Sequence, residues 1–82
     1  MDRLFIKICG VTNADDAACA VESGADAIGF NFYPSSKRFI VPENAREISE
    51  ALDVSILRVG VFVNPARDYV DATIRQVALN AI

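Results

Sequence analysis

Arg3-Leu4-Phe5-Ile6-Lys7-Ile8-Cys9-Gly10 alternates with period two and stops at a glycine, the pattern of a two-faced strand ended by a turn. Leu4, Ile6 and Ile8 form an apolar face, while Phe5, Lys7 and Cys9 share the other. A thiol and an ammonium two residues apart therefore point the same way at the strand's C-terminal end. That end is where open and closed α/β folds bind ligands. In general a cation beside a thiol favours the thiolate, which makes Cys9 a candidate base or nucleophile. The plainer reading, which this stretch favours when taken alone, is a small core hydrophobe with a lysine for a neighbour.

Downstream, Thr12-Asn13-Ala14-Asp15 has the form of a capping box, with Asp15 suited to the positive end of a helix. Ala14, Ala17, Ala18 and Val21 then recur at helical spacing as a stripe of small residues that lets a helix lie close to a sheet. Cys19 lies beside that stripe and is expected to pack, and Gly24 supplies a left-handed helix end. Ala27 to Phe32 reads as a second strand, with Ile28, Phe30 and Phe32 on one face and Ala27, Gly29 and Asn31 on the other. The segment Tyr33-Pro34-Ser35-Ser36-Lys37-Arg38-Phe39 breaks every period and reads as a loop. It leaves the sheet at the same end as Cys9.

Val41-Pro42-Glu43 opens a second helix, with proline where its missing N–H costs little. Ala45, Ile48, Ala51 and Leu52 supply its apolar stripe. A third strand is expected over Leu57 to Val63, with Leu57, Val59, Val61 and Val63 facing the helices and Arg58, Gly60 and Phe62 facing away. Asn64-Pro65 is expected to cap and start a third helix that buries Val70, Ile74 and Val77.

Three strand-helix units joined by short turns predict a parallel sheet with right-handed crossovers. The aliphatic faces suit the helices, which gathers Lys7, Cys9, Asn31, Arg58 and Phe62 on the opposite face. A doubly covered open sheet wants both faces apolar, so a mixed, partly charged face suits the inside of a barrel better. Three strands cannot close one, and Leu79 to Ile82 resembles the approach to a fourth. Lys7 and Arg58 would also lack acidic partners on these strands, and an unpaired buried charge is costly. Partners on further strands, or plain solvation of an open face, would resolve that.

Composition narrows the function. A domain of 82 residues buries only about 60% of its unfolded surface, yet 52% of this chain is hydrophobic, which points to a piece of something larger. A net charge of −3 offers no basic stripe for nucleic acid. No apolar run reaches the length of a membrane span, and the first residues enter a strand where a leader would be charged and apolar. Two cysteines are too few for a secreted disulfide framework and are expected to be reduced, which places the chain in the cytoplasm. Without histidine or clustered cysteines the usual zinc ligands are missing. Neither a dinucleotide fingerprint nor a P-loop occurs.

Four motifs in order, Lys7-Ile8-Cys9-Gly10-Val11-Thr12, Gly24-Ala25-Asp26-Ala27-Ile28-Gly29-Phe30, Phe32-Tyr33-Pro34-Ser35-Ser36-Lys37-Arg38 and Arg58-Val59-Gly60-Val61-Phe62-Val63-Asn64, resemble phosphoribosylanthranilate isomerase of tryptophan biosynthesis. The likeness covers the whole chain. It implies a (βα)8 TIM barrel, of which residues 1–82 supply about three βα units, β1α1β2α2β3α3, of a single domain. It also implies an intramolecular aldose-ketose isomerase that works without metal or organic cofactor. The reaction is the Amadori rearrangement of N-(5′-phosphoribosyl)anthranilate to 1-(2-carboxyphenylamino)-1-deoxyribulose 5-phosphate. On this resemblance Cys9 is the general base that takes the C2′ proton of the ring-opened Schiff base, which reverses the plainer reading of the thiol. Arg38 similarly holds the anthranilate carboxylate, a task suited to a bidentate guanidinium. Without the resemblance it reads as a solvated loop charge.

The chain departs from the family in length. The family's general acid, an aspartate on a later strand, and its phosphate-binding loops after the last strands have no counterpart here; Asp53, Asp68 and Asp71 fall in or beside the second and third helices. A truncated N-terminal portion is therefore expected, inactive alone because catalytic groups act as a unit, and in want of the missing barrel half as a partner. Two alternatives stand beside it. Indole-glycerol-phosphate synthase, a neighbouring barrel, calls for a lysine-rich early site and an N-terminal extension. A non-enzymatic half-barrel or association module differs only in where translation ends.

Overall fold

The computed structural model describes residues 4–82 and places β1 at Lys7–Ile8, α1 at Ala14–Glu22, β2 at Ala27–Asn31, α2 at Pro42–Ala51, β3 at Leu57–Val61 and α3 at Arg67–Val77. The order of elements is the expected one, and the three strands form a parallel sheet in the order β1-β2-β3. Arg3, where the alternation begins, lies outside the described residues. β1 is far shorter than its alternation predicts. Leu4 is 81% and Phe5 65% exposed, so with a neighbour on one side alone the period-two run has little to pair with or pack against.

Local chemistry explains the helix ends. The cap of α1 is Asn13, not Thr12: its Oδ1 accepts from the Asp16 N–H at 2.8 Å, and its Nδ2 donates to Asp16 Oδ2 at 3.0 Å. The reciprocal pair is thus one residue later than the capping box read from sequence. At the other end the Gly24 N–H donates to the Val21 carbonyl and the Ala25 N–H to that of Ala20. With Gly24 at φ +99°, this is a Schellman close. The buried residues of α1 are Ala17 and Ala20, and Ala14 and Ala18, expected in the stripe, are exposed. α2 begins at Pro42 as expected. Its buried positions are Ala45, Ile48 and Ser49; Ala51, expected inside, is exposed.

α3 starts later than expected, at Arg67, with Ala66 in the cap position and no side-chain cap. Asn64 has φ +45°, a left-handed bend that asparagine tolerates better than most residues, so it turns the chain before the helix instead of capping it. Thr73 and Val77 are the buried residues of α3; Val70 and Ile74 are half-buried. Beyond α3, Ala81 bridges Val59 in parallel, and the Gly60 N–H donates to the Ala81 carbonyl at 3.0 Å. Leu79 to Ile82 therefore do approach β3 as a fourth strand would.

The sheet register corrects the assignment of faces in β3. Ile28 pairs with Arg58, Phe30 with Gly60 and Asn31 with Val61. Arg58, Gly60 and Phe62 thus share the helix-facing side with Ile28, Phe30 and Phe32, and the aliphatic Leu57, Val59 and Val61 lie on the side of Lys7, Cys9 and Asn31. Two features make this stable. A Cβ on Gly60 would come within 2.7 Å of Leu79 Cδ1 and 3.0 Å of Phe62, so larger neighbours fill the space glycine leaves. Phe62 stacks on Phe32 at 5.3 Å and meets Tyr69 edge-on at 6.0 Å, geometries that aromatic quadrupoles favour.

Arg58 is the second feature. Only 9% exposed, it needs no carboxylate. Its guanidinium donates to the carbonyls of Ser49 at 2.7 Å, Leu52 at 3.0 Å, Asp53 at 3.1 Å and Ile56, and to Ser49 Oγ at 3.0 Å. Ser49 Oγ in turn donates to the Val77 carbonyl at 2.7 Å. The cation thus sits at the negative end of α2 and ties it to the end of α3. Nearby, the N–H of Ser55 donates to the Asp53 carboxylate at 2.9 Å, which with the Ser55 hydroxyl holds the Asp53 pKa below its ordinary value.

Candidate active site

The C-terminal end of β1 is built by its neighbour. Gly10 and Val11 both donate their N–H to the Gly29 carbonyl, at 3.0 and 3.2 Å, which ends the β1 ladder and turns the chain away at Gly10, φ +78°. Cys9 follows Lys7 and Ile8, which pair with Ala27 and Ile28, and so stands against Gly29. A Cβ on Gly29 would lie 3.1 Å from Cys9 Sγ and 3.2 Å from Cys9 Cα. The thiol therefore rests in space that only glycine leaves open, on the sheet face away from the helices, and it is exposed there. Lys7 is exposed as well, and the alternation of β1 keeps it on the same face.

Arg38 comes to this place from the other side. Its Nη1 donates to the Cys9 carbonyl at 3.3 Å, and its aliphatic stem crosses Gly10 so closely that a Cβ there would meet Arg38 Cδ at 2.3 Å. One of five N–H donors is thereby used, and the rest of the fork faces outward. Cys9, Gly10, Thr12, Lys37 and Arg38 line a common cavity of about 470 Å³. The guanidinium thus lies against the backbone of the residue that carries the thiol. The sequence named both residues, and the fold brings them together.

Other expectations are redistributed. Arg58, expected on this face, is on the opposite one, level with Ile28, and its guanidinium reaches back to the C-terminal end of α2. A larger groove of about 910 Å³ lies there, between the ends of α2 and α3, with Arg46, Arg58 and Arg75 on its walls. Cys19, expected to pack, is an exposed free thiol that lines the same recess as Cys9, because the rotation of α1 that buries Ala20 carries its neighbour outward. The roles of Gly10 and Gly29 were legible only as turn and small-residue signals. Among the described residues no helix is long and apolar enough to cross a membrane. No group of three or more His, Cys, Asp or Glu residues among them could hold a metal ion.

The profile of the N-(5′-phosphoribosyl)anthranilate isomerase family matches residues 6–82. The isomerase of that name from Thermotoga maritima is 54% identical over 77 residues, 94% of this chain and 38% of the relative. Its solved structure superposes with a TM-score of 0.92 at 52% identity, covering 95% of this chain and 38% of that one. A structure of such an isomerase in complex with reduced 1-(o-carboxyphenylamino)-1-deoxyribulose 5-phosphate gives the same TM-score and identity over 95% of this chain and 40% of its own. The chain spans less than two fifths of the length of these curated relatives.

Proposed function

Because the chain belongs to the N-(5′-phosphoribosyl)anthranilate isomerase family, we propose that it carries the proton-abstracting part of that isomerase's active site, Cys9 being the general base and Arg38 the anchor for the anthranilate carboxylate. The observation that supports this reading is the 3.3 Å contact of Arg38 Nη1 with the Cys9 carbonyl, which joins the loop guanidinium to the backbone of the thiol-bearing residue. Residues 1–82 then supply β1α1β2α2β3α3 of one (βα)8 domain. The exposure of Leu4 and Phe5 beside β1 and the bridge of Ala81 to Val59 support further strands on both sides.

The substrate is N-(5′-phosphoribosyl)anthranilate, and the setting is the cytoplasm. Once the ribose ring opens to the Schiff base, the C2′ proton is acidic enough for a moderately basic group within hydrogen-bonding reach. Cys9 Sγ takes that proton, the C2′–H electron pair forms the C1′–C2′ double bond as the C1′–N π pair moves onto the nitrogen, and the resulting enol, protonated at C1′ as its 2′-hydroxyl proton leaves, becomes the 2-ketose. Arg38 holds the substrate's aromatic end so that C2′ stays over the sulfur, a positioning effect. The acid that opens the ring and the phosphate site come from the rest of the barrel, so the 82 residues alone do not turn over. The test is a graft. This chain, placed in the Thermotoga maritima isomerase in exchange for the matched stretch, gives isomerase turnover while the isolated chain gives none. A well-folded but inactive graft, or turnover by the isolated chain, would refute the proposal.

A further inference from the structure

Arg38 lies on a seven-residue loop, and something must hold that loop where the guanidinium reaches Cys9. β1 leaves its place in the sheet after Gly10 and Val11 donate to the Gly29 carbonyl. Two residues on, the Asn31 carbonyl points to the same side of β2, because carbonyls alternate along a strand. It accepts the Ile40 N–H at 3.0 Å, and Asn31 and Phe39 form a parallel bridge. The returning end of the loop therefore fills the lane that β1 vacates. Ile40, next along, is buried.

The departing end is held by the same residue. Asn31 Oδ1 accepts the Tyr33 N–H at 3.0 Å, and Phe32 donates its N–H to the Val61 carbonyl at 2.9 Å. Inside the loop, the Ser36 N–H donates to the Tyr33 carbonyl at 3.0 Å and the Phe39 N–H to that of Ser36 at 3.2 Å. Arg38 donates its own N–H to Ser36 Oγ at 3.1 Å. This chain of bonds starts at the Asn31 carboxamide and ends at the residue before Phe39. Asn31 counted, in the sequence, only as a small residue on the inner face.

We propose that Asn31 is a positioning residue of the isomerase site: by closing both ends of the loop 33–39 onto itself, it fixes Arg38 against Cys9 and so sets how tightly the substrate's carboxylate is held. The side chain has a separable share of this work. Its backbone carbonyl survives any substitution, whereas the Oδ1 acceptor is lost in Asn31→Leu and kept in Asn31→Asp. Losing one such bond loosens the loop by a factor of about five, the equivalent of a typical net hydrogen bond. The inference rests on the reading of Arg38 as the carboxylate anchor.

Two measurements test it. In the isolated 82-residue chain, Asn31→Leu speeds hydrogen exchange at the Tyr33 amide by at least fivefold and shifts the Gly10 amide resonance, and Asn31→Asp does neither. Unchanged exchange and resonance in Asn31→Leu would overturn the proposal without reference to activity. In the grafted isomerase, Asn31→Leu raises KM for N-(5′-phosphoribosyl)anthranilate about fivefold with kcat within twofold, and Asn31→Asp restores it. In the Arg38→Ala background the Asn31→Leu effect on KM disappears, since residues acting through one contact are not additive. An equal rise in that background overturns the positioning role while the anchor reading stands. No rise in KM from Arg38→Ala itself overturns the anchor reading, and this inference with it.

Discussion

Replacing Arg58 by methionine keeps most of the apolar stem and removes the donors. Of the acceptors left behind, the carbonyls of Ser49 and Ile56 are in buried bonds, whereas those of Leu52 and Asp53 are only partly buried and can turn to water. The Ile56 carbonyl is left without its donor, at about 1–3 kcal/mol; that of Ser49 keeps the Leu52 N–H at 3.2 Å and loses one bond of two, about 1 kcal/mol, and the cation's interaction with the end of α2 adds a further ~0.5 kcal/mol. Burying methionine in place of a charge returns part of this, so a net loss of about 2 kcal/mol is expected. Arg58→Lys, with three donors on a point charge against four carbonyls, is expected to lose about half as much. Urea unfolding of the grafted isomerase, followed by far-ultraviolet circular dichroism, reads the difference. Turnover per folded molecule stays unchanged, because Arg58 faces the helices, on the side of the sheet away from the Cys9 thiol. A loss under about 1 kcal/mol would refute the carbonyl-cage account. Normal stability with abolished turnover would return Arg58 to the active-site face that its sequence position first implied.

Three further outcomes follow from the same geometry. Gly10→Ala meets Arg38 Cδ at 2.3 Å and must hold φ +78°; it is expected to raise KM at least tenfold in the grafted isomerase, and steady-state kinetics at unchanged KM would contradict it. Asn13→Ala removes the α1 cap and is expected to cost about 1 kcal/mol in urea unfolding, whereas Thr12→Ala, outside that pair, costs little. Burial, and to a lesser degree the Glu43 carboxylate, raises the Tyr69 pKa above its ordinary 10.0. The folded state therefore holds this proton more tightly than the unfolded one, and the stabilisation is complete below pH 10.0 and lost as pH climbs from there through the raised native value. Tyr69→Phe should flatten that alkaline decline, which a pH series of thermal midpoints would reveal.

Much of the fold was legible because its signals are local. Pro42 at the start of α2, Gly24 at the close of α1 and the two-faced run of β2 each fix their element through a few neighbouring atoms. What misled was the face of β3. Leu57, Val59, Val61 and Val63 make the greasier side, and hydropathy assigns the greasier side to the helices. The register decides otherwise, because the end of α2 and the turn after it offer Arg58 a set of carbonyls and Gly60 makes room for Phe32, Phe62 and Leu79. Neither the carbonyls nor the room is visible in a periodic pattern. Cys9 and Arg38 were legible as candidates through their motifs, but their contact depends on Asn31 returning the loop to the lane of β1, a long-range hydrogen bond that no spacing announces. Cys19 is exposed because the buried face of α1 runs through Ala17 and Ala20, a choice of face that a stripe of small residues does not fix.

The most direct test of the whole account is the kcat of the grafted isomerase with Cys9→Ala. A positioned general base contributes about 10²–10⁴-fold, so kcat is expected to fall by at least a hundredfold while KM, set by Arg38, changes less than threefold. A kcat within threefold of the unsubstituted graft would contradict Cys9 as the base and leave the thiol on Gly29 as packing.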